Sequence, residues 1–66
     1  MEEEELRRRL EERGWKLRKV VEFKHRDRIV AEKVIGKDRG LTVTLYLRCK
    51  LRDLKWEHIE GVFPGG

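Results

Sequence analysis

Residues 41–51 read LTVTLYLRCKL. Leu41, Val43, Leu45, Leu47, Cys49 and Leu51 occupy every second position, and Thr42, Thr44, Tyr46, Arg48 and Lys50 fill the places between. A period of two sends alternate side chains to opposite faces of a strand. The stretch therefore predicts a β-strand over 41–51 with one apolar face and one polar, basic face. No other segment is patterned so regularly, and the rest of the chain has to cover the apolar face.

Immediately upstream, Gly36-Lys37-Asp38-Arg39-Gly40 predicts a glycine-bounded hairpin loop, with positive φ available at either end. Residues 29–36 form the strand before it. They are apolar on both parities, with Ile29, Ala31 and Ile35 on one and Val30 and Val34 on the other. That pattern implies cover on both sides, or passage from one face to another. Arg26-Asp27 makes the preceding turn. The first strand is 15–25, WKLRKVVEFKH, in which Trp15, Leu17, Val21 and Phe23 share a parity that Lys19 interrupts. Such a slip marks a bulge or a strong bend.

Downstream of the alternating stretch, Arg52-Asp53 is a short turn and 54–63, LKWEHIEGVF, reads as a fourth strand. Its parity changes near His58 and Gly61 marks a kink. The helical spacing of Leu51, Leu54 and His58 gives a helix over 51–59 as the second reading. Residues 64–66 are a tail.

The N-terminus, 2–13, EEEELRRRLEER, predicts a helix. Glutamates fill its first turn and arginines its last, which suits the helix dipole. Glu3/Arg7, Glu4/Arg8 and Glu5/Arg9 are i,i+4 pairs in the favourable order, and Gly14 is placed as the stop. Only Leu6 and Leu10 are apolar, too narrow a stripe for a membrane-binding or calmodulin-target helix.

Sixty-six residues make one domain near the lower limit for a single unstapled core. Seventeen Leu, Ile and Val and five aromatics supply that core, which leaves little for a deep catalytic pocket. Charged residues make up 45% of the chain, and Ser, Asn and Gln are absent. Thermophile proteins and designed proteins share this profile. The net charge of +4 divides into −2 over residues 1–13 and +6 over the rest, a basic body suited to an anionic partner. One cysteine, Cys49, excludes an internal disulfide framework. Neither a signal peptide nor a membrane-length apolar run is apparent, so a natural version is expected in the cytosol.

A helix followed by bent strands with short turns resembles the Sm and Sm-like RNA-binding barrels. Val34 to Leu45, VIGKDRGLTVTL, resembles the family's first motif, with Asp38 at the loop Asp. Ile59-Glu60-Gly61 resembles the Ile-Arg-Gly of the second. The resemblance implies an α+β fold: an N-terminal helix, then four antiparallel, strongly bent strands in a small, partly open Sm/SH3-like barrel; a simple meander packed by one helix is the second reading. A fifth strand would have to fit within 62–66. Lys37 stands where the family stacks a base on an aromatic, and Glu60 where it has Arg. The resemblance therefore extends to architecture and not to the RNA pocket. The beginning, helix, Gly-Trp and three strands, also resembles small toxin domains related to the double-stranded-RNA-binding fold, although His25 lacks their preceding Gly-Ser. The terminal Gly65-Gly66 resembles the tails of ubiquitin-like modifiers, which place a hairpin before their helix; here it reads as a linker remnant.

Candidate chemistry is sparse. Cys49, His25 and His58 show no metal-ligand spacing, and no nucleophile–base–orienter set is identifiable. The expectation is neither an enzyme nor a metal- or cofactor-binding protein. It is an idealised or designed small scaffold whose sequence specifies a fold and no site. The alternative is a small thermophile-type nucleic-acid-binding protein using the basic strand face: Tyr46, Arg48, Lys50 and Arg52, joined by Lys16 and Arg18. Self-association or protein pairing through a strand edge ranks third.

Overall fold

The computed structural model describes residues 1–65; Gly66 lies outside the described residues. An N-terminal helix, α1 (Glu3–Glu12), precedes three strands: β1 (Trp15–Glu22), β2 (Asp27–Gly36) and β3 (Arg39–Tyr46). They form one antiparallel sheet in the order β1-β2-β3. Three single turns of 3-10 helix follow, at Leu51–Asp53, Trp56–His58 and Glu60–Val62. The protein is α+β.

Among the described residues, two of the three expected i,i+4 pairs form in α1, and Glu4/Arg8 does not. Arg7 pairs with Glu3 at 3.4 Å and Arg9 with Glu5 at 3.0 Å. Gly14, at φ 83°, turns the chain into β1, with its N–H donating to the Glu11 carbonyl. Leu6 and Leu10 are fully buried against the sheet.

The strand register divides the sheet into two faces. Trp15, Lys33 and Leu41 share one row, Leu17, Ala31 and Val43 the next, and Val20, Ile29 and Leu45 a third. These rows form the inner face. The register shifts between Leu17 and Lys19, where the sequence breaks its alternation, and the bulge restores Val20 to the core side. The mixed parity of β2 has a simpler meaning than two-sided cover. Ile29 and Ala31 are buried, Val30 is half-buried on the outer face, and Val34 and Ile35 are exposed near the hairpin tip. That tip projects from a molecule 37 Å long and 19 Å across.

Lys37 and Asp38 make the hairpin turn. Among the described residues Gly14 is the only glycine with positive φ, so Gly36 and Gly40 are not used as expected. A Cβ at Gly40 would meet only the flexible Glu32 side chain, whose carboxylate lies 3.0 Å away.

Two strand expectations are corrected. The alternating stretch pairs as a strand only to Tyr46, and 54–63 does not form a fourth strand. The described residues hold three strands in an open sheet, so the four- or five-stranded barrel does not form. The reason lies in what the inner face needs. Two leucines of α1 cannot cover it, and residues 47–63 cross beneath it instead of pairing with its edge. Leu47, Leu51, Leu54, Ile59 and Phe63 are all buried in the same core as Trp15 and Ile29. Their spacings of three to five residues suit single helical turns. Extended backbone at Leu54 and Lys55 separates the first two turns, so the helix over 51–59 does not form either. The Trp15 and Phe63 rings meet edge to face at 5.3 Å, and Arg9 and Arg13 lie over Trp56. Arg13 also donates to the Phe63 carbonyl at 3.0 Å.

The crossing starts at Asp27, the one buried charged side chain among the described residues, 3% exposed. Its backbone N–H donates to the Cys49 carbonyl and its carbonyl accepts from Leu47 N–H. Its carboxylate accepts from Lys50 Nζ at 2.6 Å and Leu51 N–H at 2.7 Å. Burial works against the charged form, but these bonds, the Leu51 N–H first and then Lys50, outweigh it and hold the pKa below its ordinary 3.8.

Asp27→Asn should cost about 3 kcal/mol, because it strands Lys50 beside a neutral amide. In a domain this small that lowers Tm by on the order of 15 °C. A depressed carboxylate contributes stability above its unfolded pKa. The wild-type advantage should therefore be complete well above pH 3.8 and vanish as pH falls through the lower folded value. Thermal melts of both proteins across pH 2–7 check this. Phe63→Ala should cost about 3–5 kcal/mol in urea denaturation, as loss of a core aromatic does; a surface-like cost would place the C-terminal turns outside the core.

Candidate nucleic-acid interface

The outer face of the sheet is turned away from the core. Its rows are Lys16, Glu32 and Thr42; Lys19, Val30 and Thr44; and Val21, Arg28 and Tyr46. Arg18 sits in the bulge of β1 and pairs with Glu32. The six residues expected to form one basic face separate into three groups.

Lys16 and Arg18 lie on the outer face, at the end nearer the hairpin. Tyr46 lies on the same face at the opposite end, 60% exposed. Arg48, Lys50 and Arg52 do not continue that face, because the strand ends at Tyr46. Arg48 is exposed at the bend that follows. Lys50 turns inward, donating to the Asp27 carboxylate and, at 2.8 Å, to the Phe23 carbonyl. Arg52 is exposed in the first 3-10 turn, where its carbonyl and those of Leu51 and Leu54 accept from the Met1 ammonium.

Sequence reading missed the residue that joins the aromatics at the Tyr46 end of the outer face. Arg28 lies between two aromatic rings, its guanidinium carbon 5.8 Å from the Phe23 centroid and 5.5 Å from that of Tyr46. Its Nη1 approaches the Tyr46 hydroxyl at 3.4 Å, and its Nε is buried without a hydrogen-bond partner. Phe23 is 45% exposed. An arginine within cation–π range of two exposed rings makes a cationic aromatic cluster. The missed signal was the hairpin pairing that sets Arg28 opposite both Val21 and Tyr46.

Other chemistry does not assemble. His25 is exposed in the β1–β2 turn. Cys49 and His58 both line a shallow groove of about 580 Å³ with Leu45, Leu47, Leu54 and Ile59. Among the described residues, no three His, Cys, Asp or Glu side chains gather as metal ligands would, and no helix is long and apolar enough to cross a membrane. Lys37 and Asp38 occupy the hairpin turn, and Ile59-Glu60-Gly61 lies in the last 3-10 turns, so the second Sm-like motif is not on a strand.

No family model, curated protein or solved structure matches this chain.

Because the rings of Phe23 and Tyr46 lie on the surface, removing either should disturb the fold little. Tyr46→Ala and Phe23→Ala are each expected to cost less than about 1 kcal/mol, the scale of an exposed cation–π contact, as read by urea unfolding.

Proposed function

We propose that the outer sheet face binds single-stranded nucleic acid, with Tyr46 and Phe23 as stacking surfaces and Arg28 between them. The observation that carries this reading is the Phe23–Arg28–Tyr46 cluster, with both rings exposed. Lys16 and Lys19 extend the positive charge along the same face, and Lys24, Arg26 and Arg48 are exposed near its Tyr46 end. Stacking on such rings tolerates any base, and the cations follow the backbone. The binding surface differs from the Sm-type pocket in position and residues, and it needs neither a closed barrel nor a ring of subunits. Within this reading Arg48 and Arg52 lie off the face, and Lys50 has a structural task.

Fluorescence anisotropy with labelled RNA and DNA 12-mers, at 50 and 200 mM salt, tests the proposal. Binding should weaken steeply with salt. Tyr46→Ala and Phe23→Ala should each weaken it by about 5–100-fold, the range for loss of one stacked base. Lys16→Ala and Lys19→Ala should each reduce the salt slope by about 1. Absence of binding at tens of micromolar in low salt contradicts the proposal and favours the ligand-free scaffold expected from composition.

A further inference from the structure

The two edges of the sheet are built differently. Edge strand β1 carries Lys16, Arg18 and Lys19, is broken by a bulge, and packs beside α1. These are the usual means of blocking strand addition. Edge strand β3 has a single charge, Arg39 at its first position, and the one irregularity in its pairing lies on the β2 side, between Val34 and Gly36 at the hairpin tip. Gly40 to Leu47 contains no charged residue in a chain that is 45% charged, and no proline. Among the described residues no strand lies beside its outward backbone groups, and Leu41, on the inner face, is 50% exposed.

We propose that β3 pairs antiparallel with β3 of a second copy about a two-fold axis at Val43, joining two open sheets into one of six strands. The argument is self-complementarity, which an isologous interface requires. With Val43 opposite its own mate, Leu41 faces the partner copy's Leu45, and Thr42 faces Thr44. Leu45 lines the groove of about 580 Å³ that runs along this edge with Leu47, Leu54 and Ile59, and no β1 or β2 residue lines it. The half-exposed Leu41 of each copy therefore lies at the open apolar groove of the other. Charge fits the same register. Arg48 follows the end of β3 and Asp38 precedes its start, so antiparallel pairing brings these opposite charges to the same end of the paired strands, twice; both are exposed, and neither has an ion-pair partner within its own chain among the described residues. The pairing leaves the outer face open and does not depend on the nucleic-acid reading.

Sedimentation equilibrium of the intact chain tests the pairing, with circular dichroism confirming that each variant folds. The wild type should show twice the chain mass of 8.0 kDa. Leu41→Lys should shift it to the single-chain mass. Arg48→Asp and Asp38→Arg should each weaken association by about 5–10-fold, since the two-fold axis applies each change twice, and the double variant should restore it. Directly opposed Cα atoms in an antiparallel pair lie about 4.5–5.5 Å apart, within disulfide reach. Val43→Cys in a Cys49→Ala background should therefore oxidise to a covalent dimer, whereas Thr44→Cys in the same background should not cross-link to itself. A single-chain mass persisting at about 1 mM overturns the proposal. So does a dimer indifferent to Leu41→Lys and to the charge exchange, or open-ended growth into larger assemblies.

Discussion

The fold depends on a single buried carboxylate. Asp27 opens β2, and its side chain and backbone together hold the chain where it leaves β3. Four contacts, to Leu47, Cys49, Lys50 and Leu51, turn an extended strand through a bend and send it under the sheet. A buried charge is tolerated when every strong acceptor position is used and a cation lies beside it. Here the Leu51 N–H is satisfied by the Asp27 carboxylate at the start of a 3-10 turn, where a helical N–H would otherwise lack a partner. Without this clasp, nothing in the local sequence would stop the alternation at Tyr46.

That bend allows a short chain to close its core with little regular structure. Helix α1 brings two leucines, and the sheet presents Trp15, Leu17, Ile29 and Ala31. The missing layer comes from residues 47–63, whose three isolated turns each carry or flank a buried apolar side chain. The arginines of α1 have a second role besides pairing with glutamates. Arg9 and Arg13 spread over Trp56, and Arg13 reaches the Phe63 carbonyl, so the polar margin of the helix grips the last turns. Long cationic side chains can cover apolar surface in this way while their heads stay near water.

Local periodicity made the helix, the three strands and the bulge between Leu17 and Lys19 legible in the sequence, because each is set by side-chain spacing within a few residues. The end of β3 was not, because Leu47, Cys49 and Leu51 keep the apolar alternation after the strand has ended. They face the core by wrapping beneath it, and the cause, Asp27, lies 20 or more residues away. The same long-range contact explains Lys50, which reads as one of a row of surface cations and is in fact committed to a buried ion pair. At the candidate interface, Tyr46, Lys16 and Arg18 could be placed on the outer face from parity. Arg28 could not, since its significance rests on cross-strand register. Its neighbours in the sequence, Asp27 and Ile29, are buried residues of the opposite face.

Amide hydrogen exchange by NMR tests the central claim that Asp27 binds the C-terminal turns into the core. The Leu51 N–H, bonded to the carboxylate, should exchange as slowly as the amides of Ile29 and Ala31 in the middle of the sheet. Its neighbours Leu54 and Ile59 should be protected to a similar degree. Rapid exchange at Leu51, with the β2 amides still protected, would contradict the account, because the last third of the chain would then open independently of the sheet.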